Sequence, residues 1–206
     1  AVIGPNLFAP GAQLADSLGL PSNSGAFVIA LVAQLATAVV ITVGLRPDPL
    51  IVARELVGQH REEGVHVEPT AAQNAQRRTT LIMVIASIAA SHAVMVSVMS
   101  MTPVHLTSHG AALVVVGVVI SLHVAGMYAL SPLFGWWSDR GSRIVVMVAG
   151  YLLLAAALVV LGVAPNDHTL VAVGLTLLGL GWSAATVAGS ALVTDLSNGP
   201  ERVRVQ

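Results

Sequence analysis

The chain is 206 residues long, 55% apolar and only 9% Asp, Glu, Lys or Arg, with a formal net charge of -1. Soluble domains carry roughly a quarter charged residues, so an ordinary water-soluble enzyme is excluded, and the near-neutral balance excludes a nucleic-acid binder. Cys is absent, which removes disulfides, thiolate metal sites and cysteine nucleophiles.

What remains is a membrane protein, and its spans can be read in order. A bilayer's hydrocarbon core needs roughly 20 apolar residues in a helix, because lipid offers the backbone no hydrogen-bond partner. Residues 1–11 are too short to span and hold Gly4, Pro5, Pro10 and Gly11, so they read as the tail of a helix that starts earlier. The first full span is Gly25 to Leu45. Residues 46–80 form a polar linker carrying Arg54, Glu55, Arg61, Glu62, Glu63 and Glu68, with Ile51 to His60 able to form a short surface helix. Four more spans follow, approximately Leu81 to Met101, Ala111 to Phe134, Ile144 to Val163 and Leu170 to Leu192, all free of Asp, Glu, Lys and Arg. The fold class is therefore all-α: a polytopic transmembrane helix bundle with the lipid bilayer as partner. The opening on Ala rather than Met and the polar ending Val-Arg-Val-Gln suggest an internal piece of a longer polypeptide.

Arg and Lys concentrate in cytoplasmic loops. Every Arg lies in three alternate connections: residues 46–80, residues 135–143 and residues 193–206. These are assigned to the cytoplasm. The opposite side receives the segment around Asp16, the turn with His105 and His109, and the turn with Asp167 and His168.

After the third full span comes Gly135-Trp136-Trp137-Ser138-Asp139-Arg140-Gly141-Ser142-Arg143. This resembles the cytoplasmic signature of the major facilitator superfamily of secondary transporters, G-x-x-x-D-R-x-G-R. Gly135, Asp139, Arg140 and Arg143 fall in place; Gly141 occupies the variable position and Ser142 stands where the second glycine is expected. The resemblance implies a twelve-helix protein in which the acidic residue of this conformational signature loop helps latch one state. A long charged linker two helices upstream makes this the second-half copy. Residues 1–45 are then the end of the N-terminal six-helix bundle (the end of helix five, an external loop and helix six), 46–80 the cytoplasmic linker, and 81–206 helices seven to ten of the C-terminal bundle. The missing helices of the same chain would be partners of this piece. Gly4-Pro5 also matches part of a pattern seen late in helix five of drug:proton antiporters of this superfamily. In that family helices seven and ten line the central cavity. The corresponding spans here hold Ser87, Ser91, His92, Ser97, Ser100 and Thr102, and Thr176, Ser183, Thr186, Ser190 and Thr194, whereas Ile144 to Val163 has only Tyr151 as a polar side chain. Ser and Thr also bond their own backbone or a neighbouring helix, so packing accounts for them equally well.

His92 and His123 are the readily ionisable side chains inside the spans. Ionisable groups within a membrane mark ion or proton pathways, and His titrates near neutral pH. By helical spacing His92 shares a face with Met95, Met99 and Thr102, and His123 with Met127 and Ser131. Two readings stand: a proton and substrate path through His92, His123, Met95, Met99, Trp182, Ser183 and Thr186, or neutral histidines packed among methionines that fill space. His105 and His109 have the spacing of a helical metal pair, but Pro103 and Gly110 bracket them in an external turn with no third ligand nearby. No metal is expected, no cofactor is implied, and there is no phosphate-binding loop or serine elbow. Gly181, Ala185 and Gly189 make a small-residue stripe suited to close helix approach.

These features point to a non-enzymatic, multi-pass protein of a bacterial-type cell membrane. It would move a small-molecule substrate by alternating access, with proton-coupled efflux preferred. Uptake of a metabolite such as a sugar or organic acid, or a membrane protein without a transport cycle, are the alternatives.

Overall fold

The structure is a computed structural model and describes residues 7–21, 24–44, 70–163 and 166–197. Among these residues every regular element is a helix, and five helical stretches are long and apolar enough to cross a membrane. The described residues fall into two units, one ending at Thr70 and one beginning at Ala71.

The first unit holds α1 (Phe8–Ser17) and α2 (Gly25–Gly44). Residues 8–17 are helical through Asp16, which the sequence reading placed in an external connection. Pro10 is tolerated because it lies in the first turn, where its missing N–H has no intrahelical partner. Gly19, at φ +68°, ends the helix: its N–H reaches the Asp16 carbonyl and Leu20 reaches Ala15. Gly11 and Gly25 let α1 and α2 touch backbone to backbone, since a Cβ on Gly25 would collide with the Gly11 carbonyl. Beyond that contact α2 is bare: Phe27, Leu31, Leu35 and Val40 are all exposed. Gly4, Pro5, residues 46–69 with their arginines, and Arg202 and Arg204 lie outside the described residues.

The second unit holds α3 (Ala71–Ser108), α4 (Leu113–Tyr128), α5 (Ser131–Arg140), α6 (Arg143–Val163) and α7 (His168–Leu196). Helix α3 begins at Ala71, so residues 71–80 of the expected linker are its first turns; Ala, Gln and Arg are strong helix formers. At 1.5 Å per residue it is about 57 Å long and overreaches a core about 30 Å thick. It also runs through Pro103 to Ser108, where the sequence reading expected a turn. Gly110, at φ +82°, ends it with the N–H of Gly110 on Thr107 and that of Ala111 on Leu106. The span from Ala111 to Phe134 divides between α4 and α5, because Pro132 in the first turn of α5 cannot continue the ladder of α4. Asp167 caps α7 by accepting from the N–H groups of Thr169 and Leu170.

Helix α7 is the centre of this unit. Lipid tails are as apolar as Leu, so helices associate in a membrane by close packing and hydrogen bonds rather than by hydrophobic burial. Glycines supply that close packing. A Cβ on Gly181 would lie 2.7 Å from the Leu154 nitrogen, and one on Gly150 2.6 Å from the Ala185 nitrogen, which locks α6 to α7. A Cβ on Gly126 would lie 2.8 Å from the Thr176 carbonyl, locking α4 to α7. Gly189 leaves room for the side chain of Ile88 on α3, which lies 2.8 Å from where a Cβ would stand. Gly181, Ala185 and Gly189 are thus the packing stripe that their spacing predicts.

Candidate functional site

The mid-span polar residues of α3 and α7 meet. His92 lies near the middle of the apolar stretch of α3, and Trp182 near the middle of α7. The indole Nε1–H of Trp182 donates to His92 Nδ1 at 3.0 Å, with ring centroids 5.8 Å apart. Indole nitrogen is a donor only, so Nδ1 of His92 must be its acceptor, and the neutral ring then carries its proton on Nε2. Tyr128, at the end of α4, approaches Trp182 edge-on at 6.4 Å. The three rings form one cluster in which His92 and Tyr128 are exposed and Trp182 is partly buried against the core. Tyr128 is absent from the sequence reading; its position, just ahead of the break that Pro132 causes, was its one sequence signal.

The other candidates separate around this cluster. Met95 is buried in the core with Met127 and Leu175, and Met99 packs against the same core. Thr102 is buried and bonds the Val98 carbonyl. Ser183 is buried and shares a 3.1 Å hydrogen bond with Ser131 of α5. The Thr186 hydroxyl is enclosed without a hydrogen-bond partner. His123 is 1% exposed and its Nδ1–H donates to the Leu175 carbonyl at 2.7 Å, a strut between α4 and α7. Its Nε2 is enclosed with no partner. His123 and His92 are therefore different in kind, one sealed in a helix seam and the other open.

His105 sits in the last turn of α3, and its ring lies 4.3 Å from that of His109, whose Nδ1 meets the His105 carbonyl at 2.8 Å. Among the described residues no group of three potential metal ligands occurs.

At the other end of the unit, Arg143 opens α6 and bonds the Ala191 carbonyl at 2.6 Å and the carboxylate of Asp195, both on α7. A family model described as Major Facilitator Superfamily matches residues 80–206, a range that contains this arginine and the helices around it. The chain belongs to the major facilitator superfamily. It is 34% identical over its whole length to two proteins of Bacillus subtilis (strain 168), named "Uncharacterized MFS-type transporter YdeG" and "Uncharacterized MFS-type transporter YddS". It spans 48% of the length of each, so it corresponds to about half of these relatives. Over 63% of its residues it is 30% identical to "Riboflavin transporter RfnT" of Brucella anthropi, covering 32% of that protein. No solved structure matches. The major facilitator assignment and the apolar helices make this a multi-pass integral membrane protein.

Within the superfamily signature, the geometry refines the sequence reading. Gly135, Asp139 and Arg140 are helical residues of α5, and only Gly141 and Ser142 form the turn. A Cβ on Gly141 would lie 3.0 Å from the Trp137 carbonyl, a close approach at the end of α5. Arg140 lies over the Trp136 ring at 4.9 Å. Asp139 is exposed and makes no hydrogen bond or ion pair among the described residues, so the carboxylate engaged by this loop is Asp195. Sequence spacing cannot pair Arg143 with a residue 52 positions away on another helix.

Proposed function

We propose that the full-length protein is a secondary transporter of a bacterial plasma membrane that exports a small organic compound in exchange for protons by alternating access. The observation that carries this is the bond from Trp182 to His92 Nδ1. A proton arriving at Nδ1 turns that atom from acceptor to donor, so the Trp182 N–H must leave it. One protonation event is thereby tied to the position of a large ring on the central helix, which is what coupling an ion to a substrate requires. The relative named a riboflavin transporter supports a small organic substrate. Asp139, as in the signature's family role, would latch one conformation, and the pair of Arg143 with Asp195 would hold the start of α6 to α7. Export rather than uptake rests on Gly4-Pro5, a sequence feature alone.

The test uses the full-length protein in proteoliposomes, with a panel of small organic compounds that includes riboflavin. An imposed pH gradient is expected to drive concentrative flux by the wild type. His92→Ala is expected to retain downhill exchange while losing the gradient-driven component by about tenfold or more, equivalent to about 1.4 kcal/mol of coupling. Full gradient-driven flux in His92→Ala would remove this histidine from the coupling mechanism.

A further inference from the structure

A histidine at mid-span that is exposed on its own helix bundle does not face lipid tails, because an ionisable group there turns toward protein or a water-filled cavity. His92 meets that description. Its bond from Trp182 uses Nδ1 and leaves the neutral ring's Nε2–H directed elsewhere, with no partner among the described residues. Next to His92 stands the partly buried indole of Trp182, and edge-on to that indole the exposed ring of Tyr128. Aromatic faces take another aromatic ring by offset or edge-to-face stacking. The indole of Trp182 packs against the buried core, as Met99 does.

We propose that His92, Trp182 and Tyr128 form a subsite for a planar, neutral aromatic compound bearing a hydrogen-bond acceptor on its ring edge. The ring stacks on the exposed ring of Tyr128 beside Trp182, and the acceptor, a ring carbonyl or ring nitrogen, receives the Nε2–H of His92. A flat hydrocarbon of the same size satisfies the stacking and leaves the donor unpaired, so the subsite selects for the acceptor. This deepens the transport reading above by naming a substrate class, and it rests on that reading for its physiological meaning.

The test measures equilibrium binding of acridone, a flat tricycle with one ring carbonyl, and of anthracene, its counterpart without an acceptor, to the full-length protein in nanodiscs. Saturable acridone binding is expected, preferred over anthracene by about fivefold. Trp182→Ala and Tyr128→Ala should each weaken acridone by about tenfold. His92→Phe should keep both ligands and erase the preference between them. Trp182→Phe, which retains a ring and the fold, should bind acridone more weakly than the wild type and more tightly than Trp182→Ala. Absence of saturable acridone binding, or binding unaffected in all of these variants, overturns the subsite. Gradient-driven flux is measured separately on the same preparations: binding with these dependences but without flux upholds the subsite and contradicts the transport reading, while flux without them does the reverse.

Discussion

Helices α2 and α7 are both apolar and both long enough to span a bilayer, yet among the described residues one is exposed from Ala30 to Gly44 and the other is packed on most of its circumference. Apolar character does not separate them. Small residues and hydrogen-bonding groups do: α7 carries Gly174, Gly179, Gly181, Ser183, Ala184, Ala185, Ala188 and Gly189 among its buried residues, whereas α2 buries only Gly25. In α2 the hydroxyls of Thr37 and Thr42 bond carbonyls of their own helix, and in α7 Ser183 and Trp182 bond neighbouring helices. Hydropathy thus tells where the chain crosses the membrane, and the distribution of small and polar residues tells where helices meet.

The largest effect expected from this contrast is at the glycines. Gly181→Ala puts a methyl 2.7 Å from a backbone nitrogen of α6 that cannot move alone, and should destabilise the second unit by about 2–3 kcal/mol. Gly44→Ala, where no atom lies within 4 Å of the new Cβ, should change stability by less than about 0.5 kcal/mol. Thermal unfolding in detergent compares the two; equal effects would break the contrast. An intermediate effect belongs to the end of α7. Asp195→Asn removes the charged partner of Arg143 but leaves the Ala191 carbonyl, and with both side chains partly exposed it should cost about 1 kcal/mol or less. Arg143→Ala loses both contacts and should cost more, as measured by the same unfolding assay. The smallest effect is at single hydroxyls: Ser183→Ala should cost about 0.6 kcal/mol, the usual worth of an interhelical hydrogen bond in a membrane, while Thr37→Ala on α2 should be neutral.

Much of this architecture is legible in the sequence. Uncharged apolar runs locate the five spans, and the signature loop identifies the family before any helix is placed. The ends of the spans are less legible. Residues 71–80 carry polar side chains that break an apolar run yet favour helix, so α3 starts earlier than hydropathy indicates. Pro103 reads as a stop, but the helix continues past it, with Thr107 bonding the Pro103 carbonyl. At the candidate site, His92 and Trp182 stand out as polar or large side chains in apolar spans, and their meeting is a tertiary fact. The separation of His92 from Met95, three residues apart and on the same expected face, depends on where α7 presses against α3. Tyr128 and Asp195 enter only through such contacts.

The central claim is that His92, at mid-span in α3, faces water rather than lipid. Because the sequence has no Cys, single cysteines can be placed at His92 and at Leu35, midway along α2, in a full-length protein freed of any cysteines beyond these residues. Both variants are then treated with a membrane-impermeant, water-soluble thiol reagent. The account predicts that His92→Cys is labelled and Leu35→Cys is not. Equal silence at both positions would contradict it, and with it the coupling role and the aromatic subsite.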